Sequence, residues 1–228
     1  MDVGRVERGR EAATGAAAAG TGGPGFAEAC GFPVTNNPSS LFRLLYLALL
    51  AGGRRDQQRA VRLAQAVRDA GWDTAARLAA AGHHPLTATL RAAGAGRDAN
   101  RLADTLGQLA AAVVDRYRGD LRRLRSTTRR DPAVLRRALT DLPGVDGAAV
   151  DVFFREVQVI WPEVGPFADR RALRAADRLG LARNLTELAA LTGAESERLA
   201  WLAGALARVD ADNRYTEMAA LASAEPDG

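Results

Sequence analysis

The residues best placed to do chemistry lie in the second half of this 228-residue chain. Leu142-Pro143-Gly144-Val145 is a tight-turn signal between two amphipathic stretches, the second opening at Gly147. Such a turn exposes backbone N–H groups at a helix start, where they can hold a phosphate without reading a base. Pro and Gly serve equally well in an ordinary connection between packed helices, so the four residues alone leave both readings open. Asp169, ahead of Arg170-Arg171-Ala172-Leu173, has the pattern of an N-cap. Other residues exclude chemistry. All 31 basic residues are arginine, and without lysine no side-chain amine is available as a nucleophile. The single cysteine, Cys30, excludes a disulfide framework, a four-thiolate iron–sulfur cluster and an ordinary structural zinc site. His83-His84 read as loop residues with no Cys or Glu-x-x-His partner, so no metal is expected there. Glu156 and Glu163 flank the span between the turn and Asp169 without an assignable geometry.

Everything around these residues reads as helix. Ala, Leu and Arg dominate, isoleucine occurs once, and no alternating strand pattern or short-period repeat is visible. Asn37-Pro38 caps a helix running to about Ala51, and Asp56 opens a second with Ala60, Val61, Ala64 and Val67 on one face. Asp73 caps a short third segment, and Leu86–Ala93 forms a fourth. A long fifth runs from Asp98 to Tyr117 on a stripe of Leu102, Leu106, Leu109 and Val113. Asp131-Pro132 starts a sixth, Gly147–Val159 a seventh and Asp169 an eighth; two more begin near Thr186 and Glu195. The expected class is all-α. Tyr46, Trp72, Phe153, Phe154 and Trp201 fall on apolar faces or at helix ends and are expected to pack in the core. Trp161 and Phe167, in the loop before Asp169, are candidates for lining a pocket.

Met1–Gly25 carries Arg5, Arg8 and Arg10 and then an Ala/Gly/Thr tract too weakly apolar for the core of a signal peptide. Residues 1–34 are expected to be a disordered or poorly ordered tail, its first 25 residues read also as an over-long gene start, and a cytoplasmic location follows. No stretch approaches the roughly 20 apolar residues of a membrane span, and the longest apolar segment, Leu41–Ala51, contains Arg43. The formal net charge is +4, yet Asp115–Arg137 alone holds nine arginines against three aspartates. A basic segment feeding directly into the turn fits a backbone-phosphate surface, and a solvated arginine-rich helix end is the plainer alternative.

Taken in order, Asn37-Pro38 with its helix, Leu142-Pro143-Gly144-Val145, Trp161-Pro162 and Phe167-Ala168-Asp169-Arg170-Arg171 resemble the helix-hairpin-helix (HhH-GPD) DNA glycosylases, endonuclease III and the adenine glycosylases in particular. The resemblance covers about Asn36 to Ala207. It implies a two-lobed helical fold over residues 35–222. One lobe spans about 56–154 and includes the hairpin 139–150; the other combines 36–53 with 160–222. Double-stranded DNA crosses between them. It implies that Leu142, Pro143, Gly144, Val145 and Gly147, with Arg136, Arg137 and Arg170, face DNA, and that Asp169 is catalytic. In the family that carboxylate stabilises the sugar cation as the base departs, or activates the incoming water.

The chain also departs from the family. Where bifunctional members carry the Schiff-base lysine, four residues after the first hairpin glycine, this chain has Ala148, so no lyase chemistry is expected. Asp146 replaces the second hairpin glycine, and a carboxylate there repels phosphate unless it turns away. No cysteine follows Leu206, so no iron–sulfur cluster and no cofactor are expected. Ala51-Gly52-Gly53 stands where endonuclease III has Ser-Ala-Gln, leaving no glutamine wedge at that place. These features predict a monomeric, monofunctional DNA N-glycosylase of base-excision repair, nucleoid-associated when bound to DNA. A non-catalytic DNA binder of the same fold and a helical interaction module with an arginine surface are the alternatives.

Overall fold

A computed structural model describes residues 26–52 and 57–218; the expectations placed on residues 1–25 and on Gly53 lie outside them. Among the described residues the regular structure is helical and there is no strand, so the chain is all-α. None of these helices is long and apolar enough to cross a membrane.

Helix α2 (Pro38–Ala51) is the axis of the larger body. Asn37 accepts from the Ser40 N–H, Pro38 fills the first turn, and every residue from Ser40 to Ala51 except Arg43 is buried. A helix that is apolar almost all round belongs inside a protein rather than on its surface. Packed around it are α3 (Gln57–Asp69), α7 (Leu121–Thr127) and α9 (Gly147–Val157); α6 (Ala99–Tyr117) extends the same core and packs on α4 (Ala75–Ala80) and α5 (His83–Leu90), while α8 (Pro132–Thr140) packs on α7 and α9. This assignment differs from the expected lobes: the Asn37 helix shares its core with the residues up to Val164 rather than with the segment after Trp161. A second, smaller core joins α10 (Arg170–Arg178), α11 (Leu185–Leu191) and the long α12 (Ser196–Asp212) through Ala172, Ala175, Ala176, Leu188, Leu199 and Ala203.

Residues 26–34 are not tail. Helix α1 (Phe26–Ala29) and the turn after it bury Phe26, Ala27, Cys30 and Phe32. Helix α3 grips their backbone from outside. Gln65 donates to the Cys30 carbonyl, Arg68 donates to the Gly31 carbonyl, and the Arg68 guanidinium lies 5.1 Å above the Phe32 ring. Four buried residues in a Gly- and Pro-containing stretch carry no helical period, which is why the sequence pattern misses them.

Smaller departures have equally local causes. Thr74 rather than Asp73 caps α4 by accepting from the Arg77 N–H. His83 and His84 occupy the first turn of α5, not a loop, and the fourth segment runs from His83 to Leu90 before a kink at Gly94 (φ +94°). Helix α7 lies inside the arginine-rich run; Asp120 caps it and only Leu121 and Leu124 are buried, too few for a recognisable stripe.

Candidate nucleotide cleft and hairpin

The hairpin consists of α8, the turn 141–146 and α9. Asp131 caps α8 by accepting from the Ala133 and Val134 N–H groups, and Pro132 occupies the first turn. In the turn, Leu142 and Val145 are buried and act as anchors, with the Val145 N–H donating to the Leu142 carbonyl (3.1 Å). Their side chains are therefore turned into the core, against the expectation that they face DNA, while the turn's backbone is exposed at Gly144 and Gly147. Gly144 is required twice over: its φ is +75°, and a Cβ there would come within 2.1 Å of the Thr105 methyl.

Asp146 accepts from the Ala149 N–H (2.8 Å) and so caps α9. The carboxylate turns inward onto the helix end and occupies one of the amides that a phosphate would use. Arg136 is likewise engaged: it pairs with Asp151 (2.6 Å) and lies over the Phe154 and Phe167 rings at 5.0 and 5.8 Å. Arg137 is exposed on α8. Within the wider arginine run, Arg122 forks onto Asp120, Arg125 onto Glu163, and Arg116 donates to the Asp141 carbonyl. Three of the nine arginines of this run, Arg122, Arg125 and Arg136, are thus paired with a carboxylate of the protein.

Helix α9 then leads to a cleft of about 320 Å³. Its walls come from both cores: Ala51 at the end of α2 and Ala148, Asp151 and Arg155 on α9 face Asp169, Arg170, Arg171 and Arg174 on α10. The approach of α2 to α9 is close enough that a Cβ on Gly52 would stand 2.7 Å from the Ala149 nitrogen, so no side chain fits there. Ala148 and Asp169, the two positions that the resemblance pairs, open on the same cleft.

Asp169 is 7% exposed and caps α10: one oxygen, Oδ1, accepts from the Ala172 N–H (2.9 Å). The other, Oδ2, accepts from Arg155 Nη1 at 2.6 Å, and Arg155 is itself 2% exposed. A carboxylate offers about four acceptor positions, so two used bonds leave capacity for a ligand in the cleft. Arg170 is exposed and Arg171 half-buried at the rim, while Arg174 forks onto Asp210, which also accepts from the Tyr215 hydroxyl.

Behind this face, Glu156 is fully enclosed. Burial pushes its carboxyl above the ordinary value, against the pull of Arg155, the Ala27 N–H and Arg208. Burial also raises the Cys30 thiol to about 11, with the Glu156 charge adding to the rise, so Cys30 is a packing residue rather than a nucleophile. By contrast, the hydrogen bonds from Arg125 hold the Glu163 carboxyl below its ordinary value.

The two aromatic candidates part company. Trp161 is wholly buried, edge-on to Phe153, and donates from Nε1 to Asn36, so it lines no pocket. Phe167 is half-buried against Phe154. His83 faces Asp104 at 3.2 Å, and among the described residues no group of three or more His, Cys, Asp or Glu gathers as a metal site. Arg155 is the site residue that sequence reasoning missed. Its only signal was an arginine among Val152, Phe153, Phe154 and Val157 on an apolar helix.

No protein-family model, curated protein or solved structure matches the chain.

Proposed function

We propose that the chain is a monofunctional DNA N-glycosylase with the helix-hairpin-helix fold, acting on an extruded damaged or mispaired nucleotide. The observation that carries this reading is the convergence of Ala148 and Asp169 on one cleft with Arg170 and Arg171 at its rim. Cationic side chains at the mouth attract the phosphates flanking an extruded nucleotide. Inside, the Asp169 carboxylate faces the sugar. As the C1′–N bond breaks, its electron pair leaves with the base, and the negative carboxylate stabilises the cation left on the sugar. Water adds to C1′ and loses a proton, giving an abasic site in an intact strand. With alanine at position 148 no covalent amine intermediate forms.

Base release from duplexes carrying uracil, alkylated or oxidised bases, scored with and without hot alkali, tests the proposal. Strand breaks only after alkali are expected, and Asp169→Asn should abolish them while leaving duplex binding intact. Breaks without alkali would require a different nucleophile. A second reading, a DNA-binding protein without chemistry, is favoured by Asp146 on the Ala149 amide and by Arg155 on the Asp169 carboxylate. Salt-dependent duplex binding with no release from any lesion would select it.

A further inference from the structure

We infer that Arg155 is the positioning residue of the cleft, holding Asp169 in register and tying it through Glu156 to the N-terminal helix α1. Its guanidinium donates from Nη1 to Asp169 Oδ2 (2.6 Å) and from Nε to Glu156 Oε1 (3.4 Å). The second oxygen of Glu156, Oε2, accepts from the Ala27 N–H at 3.0 Å. A continuous chain of polar contacts therefore runs from the backbone of α1 to the carboxylate that faces the cleft. Helix α12 leaves room for it. A Cβ at Gly204 of α12 would lie 3.7 Å from Arg155 Nε and 3.9 Å from Glu156 Oε1, so a side chain larger than Ala would press on both.

Stability alone is a poor reason for such an arrangement. Enclosing an arginine and two carboxylates removes their hydration, and the attraction between them roughly offsets that loss. What the ion chain provides is a fixed position. The N-cap bond from Ala172 sets one oxygen of Asp169, and the bond from Arg155 sets the other, so the carboxylate plane cannot rotate. Arg170, Arg171 and Arg174 on α10 and Asp151 on α9 line the same cleft, while Arg208 on α12 bears on Arg155 and Glu156 from behind. Of these charged groups, Arg155 alone donates a hydrogen bond to Asp169 among the described residues.

Although Arg155 is given this role for the proposed reaction, one of its tests does not depend on activity. The full chain carrying Arg155→Met with Glu156→Gln removes the guanidinium together with the charge it would strand, and keeps an acceptor for the Ala27 N–H. The first readout is a pair of crystal structures, parent and variant: with the guanidinium gone, the Asp169 carboxylate plane should turn and carry Oδ2 away from its place in the parent, while Oδ1 still accepts from the Ala172 N–H. The second is base release, whose kcat should fall about 100-fold with KM within about threefold. Arg155→Lys should recover little of kcat, since one ammonium cannot reproduce the two-sided fork. A folded double variant with both the carboxylate orientation and the kcat of the parent would overturn the inference. Should that variant not fold, Arg155→Lys decides: kcat and carboxylate orientation equal to the parent's would overturn it equally. If the parent releases no base from any duplex, the functional reading fails and the carboxylate orientation still decides the role of Arg155.

Discussion

Two aspartates in this protein have the same local task and different fates. Asp146 and Asp169 each precede a helix of the cleft, and each accepts the N–H three residues on, at 2.8 and 2.9 Å. Asp146 is exposed, and among the described residues its side chain has no further hydrogen-bond or ion-pair partner, so it acts as a cap. Asp169 is buried, its second oxygen is held by Arg155, and it faces a cleft. A cap is a property of four consecutive residues; a site needs partners brought from elsewhere in the chain. Asp-x-x-Ala marks both positions in the sequence, and only the fold separates them.

Removing the carboxylates one at a time is the sharpest way to break this comparison. Asp169→Ala removes a cap and leaves the Arg155 guanidinium enclosed beside a cavity. Breaking a buried pair in this way costs about 3–5 kcal/mol, which chemical denaturation will read as a lowered midpoint. Asp146→Ala removes a cap at the surface and should cost about 1 kcal/mol. Equal losses at the two positions would mean that the Arg155 contact contributes nothing beyond capping.

Duplex binding, which the proposed function requires, should respond to one aspartate and not to the other. Asp146→Ala frees the Ala149 N–H and removes a negative charge from the turn. Duplex affinity at low salt should rise about threefold, a gain of roughly 0.6 kcal/mol on the scale of a charge at a helix end. Asp169→Asn preserves a cap, since Asn serves there almost as well as Asp, and should leave affinity unchanged. Fluorescence anisotropy at two salt concentrations distinguishes them. Weaker binding by Asp146→Ala would show that the turn needs its own cap more than it needs the free amide.

The same contrast explains what was legible in the sequence. The all-α class was, because helix caps and apolar stripes are local: Asn37, Asp131 and Asp169 all cap where their spacing places them. So were the turn at Gly144 and the helix start after Asp169, whose chemistry depends on a few adjacent residues. The grouping of helices was not. The Asn37 helix joins the larger core because nearly all its faces are apolar, and residues 26–34 join it through Phe26, Ala27, Cys30 and Phe32. Arg155 was invisible for the same reason: its partner in the cleft, Asp169, lies 14 residues away at the start of the next α-helix, and no spacing rule connects them. Arg136 shows the reverse, an arginine whose sequence position points to phosphate and whose neighbours engage it with Asp151 and two aromatic rings.

The smallest expected effect extends the comparison to acid, where two glutamates divide as the aspartates do. Glu163 is held below its ordinary value by the bonds from Arg125, whose guanidinium also lies 5.2 Å over the Trp161 ring. Glu156 is pushed above its ordinary value by burial. A carboxyl with a lowered folded value contributes stability above its unfolded value near 4.5, and that contribution is lost as the pH falls through the folded value. A carboxyl with a raised folded value contributes stability below 4.5 that is lost as the pH rises through its folded value. Glu163→Gln should therefore cost a few tenths to about 1 kcal/mol at neutral pH, with a difference from the parent that shrinks on acidification. Glu156→Gln should narrow or reverse its own deficit as the pH rises from 4 toward neutrality, because it removes a charge that the interior disfavours. Thermal unfolding of the parent and both variants across that range measures the two slopes. Parallel slopes would mean that Arg155 and Arg208 satisfy Glu156 as fully as Arg125 satisfies Glu163, and that the enclosed ion chain behind Asp169 carries no electrostatic tension at all.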